Sequence, residues 1–125
     1  MSKVLIVDDD VTLRDMYAER LKAEGFEVDT AGNGAEGIEK AKSAKPDVIL
    51  MDVMMPQVNG FNALEKIKQD ADIKDIPVIM LTALIQAENK TRGLQAGAAG
   101  YIVKSETMPG EVIKKINAVL AKAKK

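Results

Sequence analysis

Acidic side chains follow two of the short apolar runs in this sequence. Asp8, Asp9 and Asp10 come directly after KVLIV, and Asp52 comes directly after VILM. The chain has no histidine and no cysteine. Imidazole catalysis, thiol nucleophiles, zinc–thiolate sites and disulfides are therefore excluded. Any chemistry must use carboxylates, hydroxyls, amines, backbone groups or a bound ion.

Carboxylates gathered at one place would favour a divalent cation. Like charges repel, and burial increases the repulsion. Oxygen ligands with an open side suit Mg²⁺, which retains water and bridges to phosphate oxygens. An aspartate beside such an ion can serve as the nucleophile for a phosphoryl group, whose oxygens must be neutralised. Thr82 and Lys104 follow two further apolar runs and would supply a hydroxyl and an ammonium. A histidine donor would lie on another molecule.

The elements that must position these residues alternate along the chain. Short apolar runs predict strands, and stripes of apolar residues at helical spacing predict helices between them. The first helix, for example, carries Leu13, Met16, Tyr17 and Leu21 on its predicted buried stripe. Predicted strands cover 3–7, 26–31, 47–51, 76–81 and 100–103, and predicted helices cover 11–24, 35–44, 61–71, 86–96 and 109–122.

This order predicts an α/β fold with a parallel sheet covered on both faces. Five units and right-handed crossovers favour a doubly wound, flavodoxin-like (βα)5 sandwich with strand order 2-1-3-4-5. Ligands of such sheets lie beyond the carboxyl ends of the strands, where the order reverses. We expect one domain over residues 1–125, with 121–125 as a frayed or truncated tail. The net charge of -1 gives no electrostatic reason to bind nucleic acid or an anionic membrane.

Four motifs carry a resemblance to a known family along nearly the whole chain. They are VLIVDDD, DVILMDVMMPQVNG, PVIMLTA and AGAAGYIVKS, in that order. With them the sequence resembles a receiver domain of the two-component response regulators, the CheY-like family. The resemblance implies that Asp52 is the phosphoacceptor. It also implies that Asp8, Asp9, Asp52 and the main-chain carbonyl of Met54 hold Mg²⁺, or Mn²⁺ in its place.

The same resemblance assigns the phosphoryl-binding and switch residues. Thr82 and Lys104 would bind the phosphoryl oxygens, and Ala83 would leave them room. Tyr101 matches the family's switch aromatic, which turns inward as the threonine moves toward the phosphate. These movements would remodel the face made by the fourth helix, the fifth strand and the fifth helix.

The implied protein is a signalling switch that catalyses its own phosphorylation and dephosphorylation, better described as a module than an enzyme. Its donor would be a sensor histidine kinase, a phosphotransfer protein or a small donor such as acetyl phosphate. Its output would be a downstream protein target, with a phosphorylation-dependent homodimer as a further option and no direct contact with nucleic acid or membrane. We expect a cytoplasmic location, and either a stand-alone chain or an excised N-terminal domain.

Two departures from the family pattern affect these expectations. The family usually has Lys-Pro with a cis peptide after the fifth strand, whereas this chain has Lys104-Ser105. A cis bond before serine would cost several kcal/mol, so the loop geometry is an open question. Met54 and Leu84 are apolar where the family has polar side chains that orient the hydrolytic water. We therefore expect slow self-dephosphorylation.

Other interpretations of these residues remain open at the level of sequence. Asp10 is expected mainly to cap the first helix. Gly32-x-Gly34-x-x-Gly37 fits the dinucleotide fingerprint literally, but it follows an expected edge strand and is more consistent with a turn and a helix start. An aspartate-nucleophile phosphatase usually carries a second acid where this chain has Met54. A flavin binder would need more aromatic residues than two Tyr and two Phe.

Overall fold

The computed structural model describes residues 2–53, 60–82, 87–103 and 109–123, and strands and helices alternate along them. The strands are β1 (Lys3–Val7), β2 (Glu27–Ala31), β3 (Val48–Met51), β4 (Val78–Thr82) and β5 (Gly100–Val103). The helices are α1 (Val11–Ala23), α2 (Gly34–Ala44), α3 (Gly60–Gln69), α4 (Ala87–Gln95) and α5 (Pro109–Ala123).

The five strands form one parallel sheet in the order β2-β1-β3-β4-β5. This is the predicted doubly wound, flavodoxin-like fold. Val7 of β1 pairs with Met51 of β3, and Thr82 of β4 pairs with Val103 of β5. Because β1 and β3 end at the same level, the residues that follow them leave the sheet side by side, at the point where the strand order reverses.

The side chains of the sheet alternate between two separate cores. We call the first the α1–α5 face; its buried residues are Val4, Ile6, Tyr17, Ala18, Leu21, Val48, Leu50, Ile79, Leu81, Ile102, Val112, Ile113, Ile116, Val119 and Leu120. We call the second the α2–α3–α4 face; its buried residues are Leu5, Val7, Ala31, Ala41, Ile49, Met51, Val53, Phe61, Ala63, Leu64, Ile67, Ile73, Val78 and Met80. Both faces of the sheet are covered, as continuous apolar strands require.

Helix α1 differs from the predicted buried stripe at one position. Tyr17, Ala18 and Leu21 are buried, and Leu13 packs against the same core. Met16, however, is 41% exposed. The prediction for Met16 was wrong because residues 13, 17 and 21 are four positions apart and define the buried line, which leaves residue 16 on its edge.

The ends of the helices follow from local side-chain chemistry. Asp10 caps α1 as predicted, since its carboxylate accepts a hydrogen bond from the Leu13 N–H at 3.1 Å. Gly25 (φ 96°) and Gly97 (φ 105°) follow α1 and α4 in left-handed conformations that favour glycine. Lys45 also has a positive φ, of 46°, just before Pro46, and the sequence did not predict it.

Several boundaries differ from the prediction by one or two residues. β4 begins after Pro77 and includes Thr82, so Thr82 is the last strand residue and not the first loop residue. α5 continues through Ala123, one residue beyond its predicted end at 122 and into the expected tail of 121–125, because alanine and lysine favour helix. Among the helices of the described residues, none combines the length and the apolar character needed to cross a membrane.

Candidate functional site

Three carboxylates meet at the carboxyl edge of the sheet. Asp8 and Asp9 follow β1, and Asp52 follows β3. Each offers one oxygen, and these oxygens all lie within 4.8 Å of one another. Asp8 is 3% exposed and Asp52 is 7% exposed, whereas Asp9 is exposed. The predicted convergence of these three residues is therefore present in the structure.

Backbone hydrogen bonds hold the first acidic residue in place. The Asp8 N–H donates to the Ala31 carbonyl at 3.1 Å, which continues the β1–β2 pairing one residue beyond the strand. The Asp8 carboxylate in turn accepts the Asp10 N–H at 2.9 Å. One carboxylate oxygen of Asp8 is thereby oriented by the backbone of the same turn.

The third acidic residue is anchored from two directions. The Asp52 N–H donates to the Val7 carbonyl at 2.9 Å, and the Gly60 N–H donates to the Val53 carbonyl at 2.8 Å. A Cβ at Gly60 would overlap the Asp52 carbonyl oxygen. The start of α3 thus packs directly on the backbone of Asp52, and only glycine fits at that contact.

The donor set suits a hard divalent cation. All three side chains are carboxylates, and two are buried, so a shared cation would offset their like charges. Oxygen-only ligands fit Mg²⁺ or Mn²⁺ rather than zinc or copper. Within the described part of the chain, this is the one group of three or more acidic residues close enough to share an ion.

Thr82 and Tyr101 lie on the neighbouring strands β4 and β5. Thr82 ends β4 and is fully buried. Tyr101 is partly buried in β5 and packs against the α2–α3–α4 face. Burial raises the pKa of the Tyr101 hydroxyl, and the charge of Asp52 raises it further. Tyr101 is therefore electrostatically coupled to the proposed phosphoacceptor across β3, β4 and β5.

Several residues named from the sequence lie outside the described residues. They are Met54, Ala83, Leu84, Lys104 and Ser105. The Met54 carbonyl as a metal ligand, Lys104 and Ala83 at the phosphoryl group, and the Lys104–Ser105 peptide geometry all remain predictions from the sequence.

The glycine-rich turn before α2 is not arranged to receive a pyrophosphate. The Gly32 N–H donates to the Glu36 carboxylate at 3.2 Å, and the Glu36 N–H donates to the Asn33 side chain at 2.9 Å. This reciprocal cap occupies the donors at the start of α2 and places a negative charge beside them. A Cβ at Gly37 would lie 2.8 Å from a Val7 methyl, so this glycine serves helix–sheet packing.

One residue near the site had no role in the sequence interpretation. Arg14 of α1 donates from Nη1 to the Asp8 carbonyl at 3.3 Å. It therefore fixes the backbone that presents Asp8. The available signal was its position one turn after the Asp10 cap, which places it over the end of β1, but an isolated arginine on a helix does not predict such a contact.

The fold and the acidic site together define a doubly wound α/β protein with a cluster of three carboxylates at its topological switch point. The sequence profile described as "Response regulator receiver domain" matches residues 4–117. The chain belongs to this family, and it is a receiver domain of the CheY-like type used in two-component signalling. Receiver domains of this family bind Mg²⁺ at an acidic pocket and interact with histidine kinases and downstream targets.

Individual relatives support the same placement. PilH of Pseudomonas aeruginosa is 41% identical over 97% of this chain and 99% of its own length. The DNA-binding dual master transcriptional regulator RpaA of Synechocystis is 36% identical over 96% of this chain but 49% of its own length. The chain thus spans about half the length of several curated relatives that it matches.

Solved structures agree with both the fold and the family. Chemotaxis protein CheY4 of Vibrio cholerae superposes with a TM-score of 0.88 at 38% identity, covering 95% of this chain and 98% of that one. A CheY-like receiver domain protein of Methanospirillum hungatei gives a TM-score of 0.91 at 31% identity, covering 99% and 97%. The strand order predicted from the sequence is therefore also that of known receiver domains.

Proposed function

We propose that this receiver domain accepts a phosphoryl group on Asp52. One observation carries the proposal: the carboxylates of Asp8, Asp9 and Asp52 converge within 4.8 Å at the switch point of the sheet. In this geometry a single cation can contact all three carboxylates and offset their charges. The sheet with a core on each face supports treating residues 1–125 as one domain.

Asp8, Asp9 and Asp52 would hold Mg²⁺, with the Met54 main-chain carbonyl as a further ligand. The ion would supply positive charge to the oxygens of the incoming phosphoryl group. The Asp8 carboxylate is oriented for this role by the Asp10 N–H. Mn²⁺ is expected to substitute, because it accepts the same oxygen ligands.

Asp52 supplies the nucleophile. One of its carboxylate oxygens attacks phosphorus, a P–O bond forms, and the P–N bond of a donor phosphohistidine breaks with its electron pair returning to the imidazole. The donor would be a sensor histidine kinase or a phosphotransfer protein, and acetyl phosphate would serve as a small donor. Thr82 and Lys104 would bind the phosphoryl oxygens, and Ala83 would leave space for them. The domain thereby catalyses its own phosphorylation without acting as an enzyme on other substrates.

The signal would leave through the face made by α4, β5 and α5. The coupling of Tyr101 to Asp52 supports this role for Tyr101 as the switch aromatic, together with Thr82. The output would be contact of this face with a downstream protein. The domain could also form a homodimer through the same face on phosphorylation. We place the domain in the cytoplasm, where its donor would be found, with no direct contact to nucleic acid or membrane.

Intact mass spectrometry tests the proposal. The wild-type chain, incubated with acetyl phosphate and Mg²⁺, should gain one phosphoryl group. Asp52→Asn should gain none, and chelation of the metal should prevent the gain in wild type. Asp15→Asn is the control, because Asp15 is an exposed aspartate on α1 and should leave phosphorylation unchanged. A gain of mass in Asp52→Asn equal to that of wild type would overturn the assignment.

The apolar residues Met54 and Leu84 support a long-lived phosphoprotein, because neither can hold a hydrolytic water. Leu84→Gln should shorten the lifetime of the phosphorylated state several-fold. The measurement is the decay of the added mass after the donor is removed. An unchanged decay rate in Leu84→Gln would contradict this part of the proposal.

A further inference from the structure

The ring of Tyr101 packs against a glycine of α4. Gly93 is buried, and a Cβ built on it would lie 3.2 Å from Tyr101 Cδ2, 3.4 Å from Phe61 Cε1 and 3.6 Å from Met80 Cγ. The first of these distances is shorter than ordinary carbon–carbon contact. A side chain at position 93 would therefore require the edge of the Tyr101 ring to shift by a few tenths of an ångström.

The backbone does not explain a glycine at this position. Among the described glycines, positive φ values occur at Gly25 and Gly97, and Gly93 has no such value. Glycine inside a helix lowers helix stability relative to alanine. Since Gly93 lies within α4, the missing methyl group carries a disadvantage that local structure does not offset. The close approach of the aromatic rings is the remaining physical reason for it.

Of the two rings at Gly93, Phe61 is the more constrained. Phe61 is 2% exposed, and the guanidinium carbon of Arg92 lies 4.4 Å from its ring centroid. Phe61 is thus enclosed by the core and covered by a cation–π contact. Tyr101 is only partly buried. A side chain added at position 93 would therefore displace Tyr101 rather than Phe61.

We propose that Gly93 is a positioning residue for the switch: its missing side chain makes room for the Tyr101 ring to pack against α4. A methyl group at position 93 would displace the edge of the ring by a few tenths of an ångström and change the orientation from which it responds to Asp52. This inference rests on the proposed function, because the response of the Tyr101 ring has a signalling role only if Asp52 is phosphorylated. The packing of the Tyr101 ring against Gly93 can be tested without phosphorylation.

The first test is a double-mutant cycle that needs no phosphodonor. Gly93→Ala should lower the urea midpoint of unfolding in the wild-type background, because the methyl group meets the Tyr101 ring. In a Tyr101→Ala background the same change should raise the midpoint, because only the gain in helix propensity remains. Gly110→Ala is the matched control: a Cβ there has its nearest neighbour, Arg20 Nη2, at 3.8 Å. Gly110→Ala should raise the midpoint in both backgrounds.

The second test measures the environment of the Tyr101 ring by ¹⁹F nuclear magnetic resonance. Protein labelled with fluorotyrosine gives two ¹⁹F signals, since the chain has two tyrosines, and Tyr17→Phe assigns them. In Gly93→Ala the Tyr101 signal should shift before any donor is added. Its further change on addition of acetyl phosphate and Mg²⁺ should fall to less than half of the wild-type change, while the gain of one phosphoryl group in the mass spectrum is retained.

The outcomes separate this inference from the proposed function. A midpoint change of the same sign in both backgrounds, or an unshifted Tyr101 signal in Gly93→Ala, would overturn the role of Gly93. Failure of the wild-type chain to gain mass would overturn the proposed function and leave the result of the cycle intact. If Gly93→Ala does not fold in the wild-type background but folds in Tyr101→Ala, the clash between the two residues is supported directly.

Discussion

The two faces of the sheet differ in the side chains that lie against their glycines. On the α1–α5 face, the glycines at Gly100 and Gly110 approach the ends of flexible side chains, those of Lys115 and Arg20. On the α2–α3–α4 face, Gly37 and Gly93 approach a branched methyl group and two aromatic rings. At Gly100 and Gly110 an added methyl group would be accommodated by moving a solvent-exposed chain, whereas at Gly37 and Gly93 it would require a shift of packed core side chains. Tyr101 packs against the second face.

Two leucine-to-alanine substitutions, one on each face, test whether a cavity lowers the free energy of unfolding by different amounts on the two faces. Leu21 on the α1–α5 face and Leu64 on the α2–α3–α4 face are both fully buried. Leu21→Ala and Leu64→Ala should each lower the free energy of unfolding by about 2–5 kcal/mol. Urea unfolding followed by circular dichroism measures both. A loss below about 1 kcal/mol for Leu64→Ala alone would show a face that relaxes readily, contrary to the comparison.

Adding a methyl group to one glycine on each face tests the difference between the two faces through a smaller change in stability. In Gly37→Ala the new Cβ meets two Val7 methyl groups at 2.8 and 3.0 Å, which should cost about 1–3 kcal/mol against a helix-propensity gain of at most about 1 kcal/mol. The net result is a lower thermal midpoint. Gly110→Ala should raise it slightly, because that position has no close neighbour. If Gly37→Ala and Gly110→Ala changed the thermal midpoint in the same direction, the proposed difference between the two faces would be refuted.

The electrostatic link between Tyr101 and Asp52 gives a prediction specific to the second face. Burial and the charge of Asp52 both raise the pKa of Tyr101. Asp52→Asn removes the charge and leaves the burial, so the pKa of Tyr101 should fall yet stay above the ordinary value. Ultraviolet titration of tyrosinate in a Tyr17→Phe background measures it, and Asp15→Asn should cause no change. A pKa that rises in Asp52→Asn would contradict the coupling.

The smallest effect concerns an ion pair at the rim of the second face. Lys42 of α2 lies 3.0 Å from Asp70 after α3, and this contact, with the Asp72 N–H, lowers the pKa of Asp70. A carboxyl whose folded pKa is lowered stabilises the fold above its unfolded value of 3.8, and that contribution is lost as the pH falls through the folded value.

Asp70→Asn should therefore be slightly less stable than wild type at neutral pH. The difference should shrink below about pH 3.8, and at neutral pH it should shrink in high salt. Urea midpoints across pH give the comparison, with Asp15→Asn as the exposed control. A difference that grows on acidification would rule out the ion pair as its source.

The sequence was sufficient for the architecture and for the acidic site. Continuous apolar strands require a sheet covered on both faces, and parallel strands place Asp8, Asp9 and Asp52 at one edge whatever the details of packing. Thr82 was placed one residue outside its strand, because Pro77 delays the start of β4 and the pattern alone does not locate that start. These features depend on local order and periodicity, which the sequence carries directly.

The contacts between helices could not be predicted in the same way. The cation–π contact of Arg92 with Phe61 and the approach of Gly93 to Tyr101 join segments that only the folded chain brings together. Met16 was predicted to be buried, but a residue at the edge of a helical stripe can be either buried or exposed. Arg14 was overlooked because one arginine on a helix forms no distinctive pattern. Lys45 adopts a left-handed backbone conformation that its residue type does not predict.

The contact of Gly60 with the backbone after β3 has a consequence for substitutions at the start of α3. The Gly60 N–H binds the Val53 carbonyl, and a Cβ at Gly60 would overlap the Asp52 carbonyl oxygen. Any larger residue at position 60 would therefore have to move either the first turn of α3 or the main chain that carries the Asp52 carboxylate.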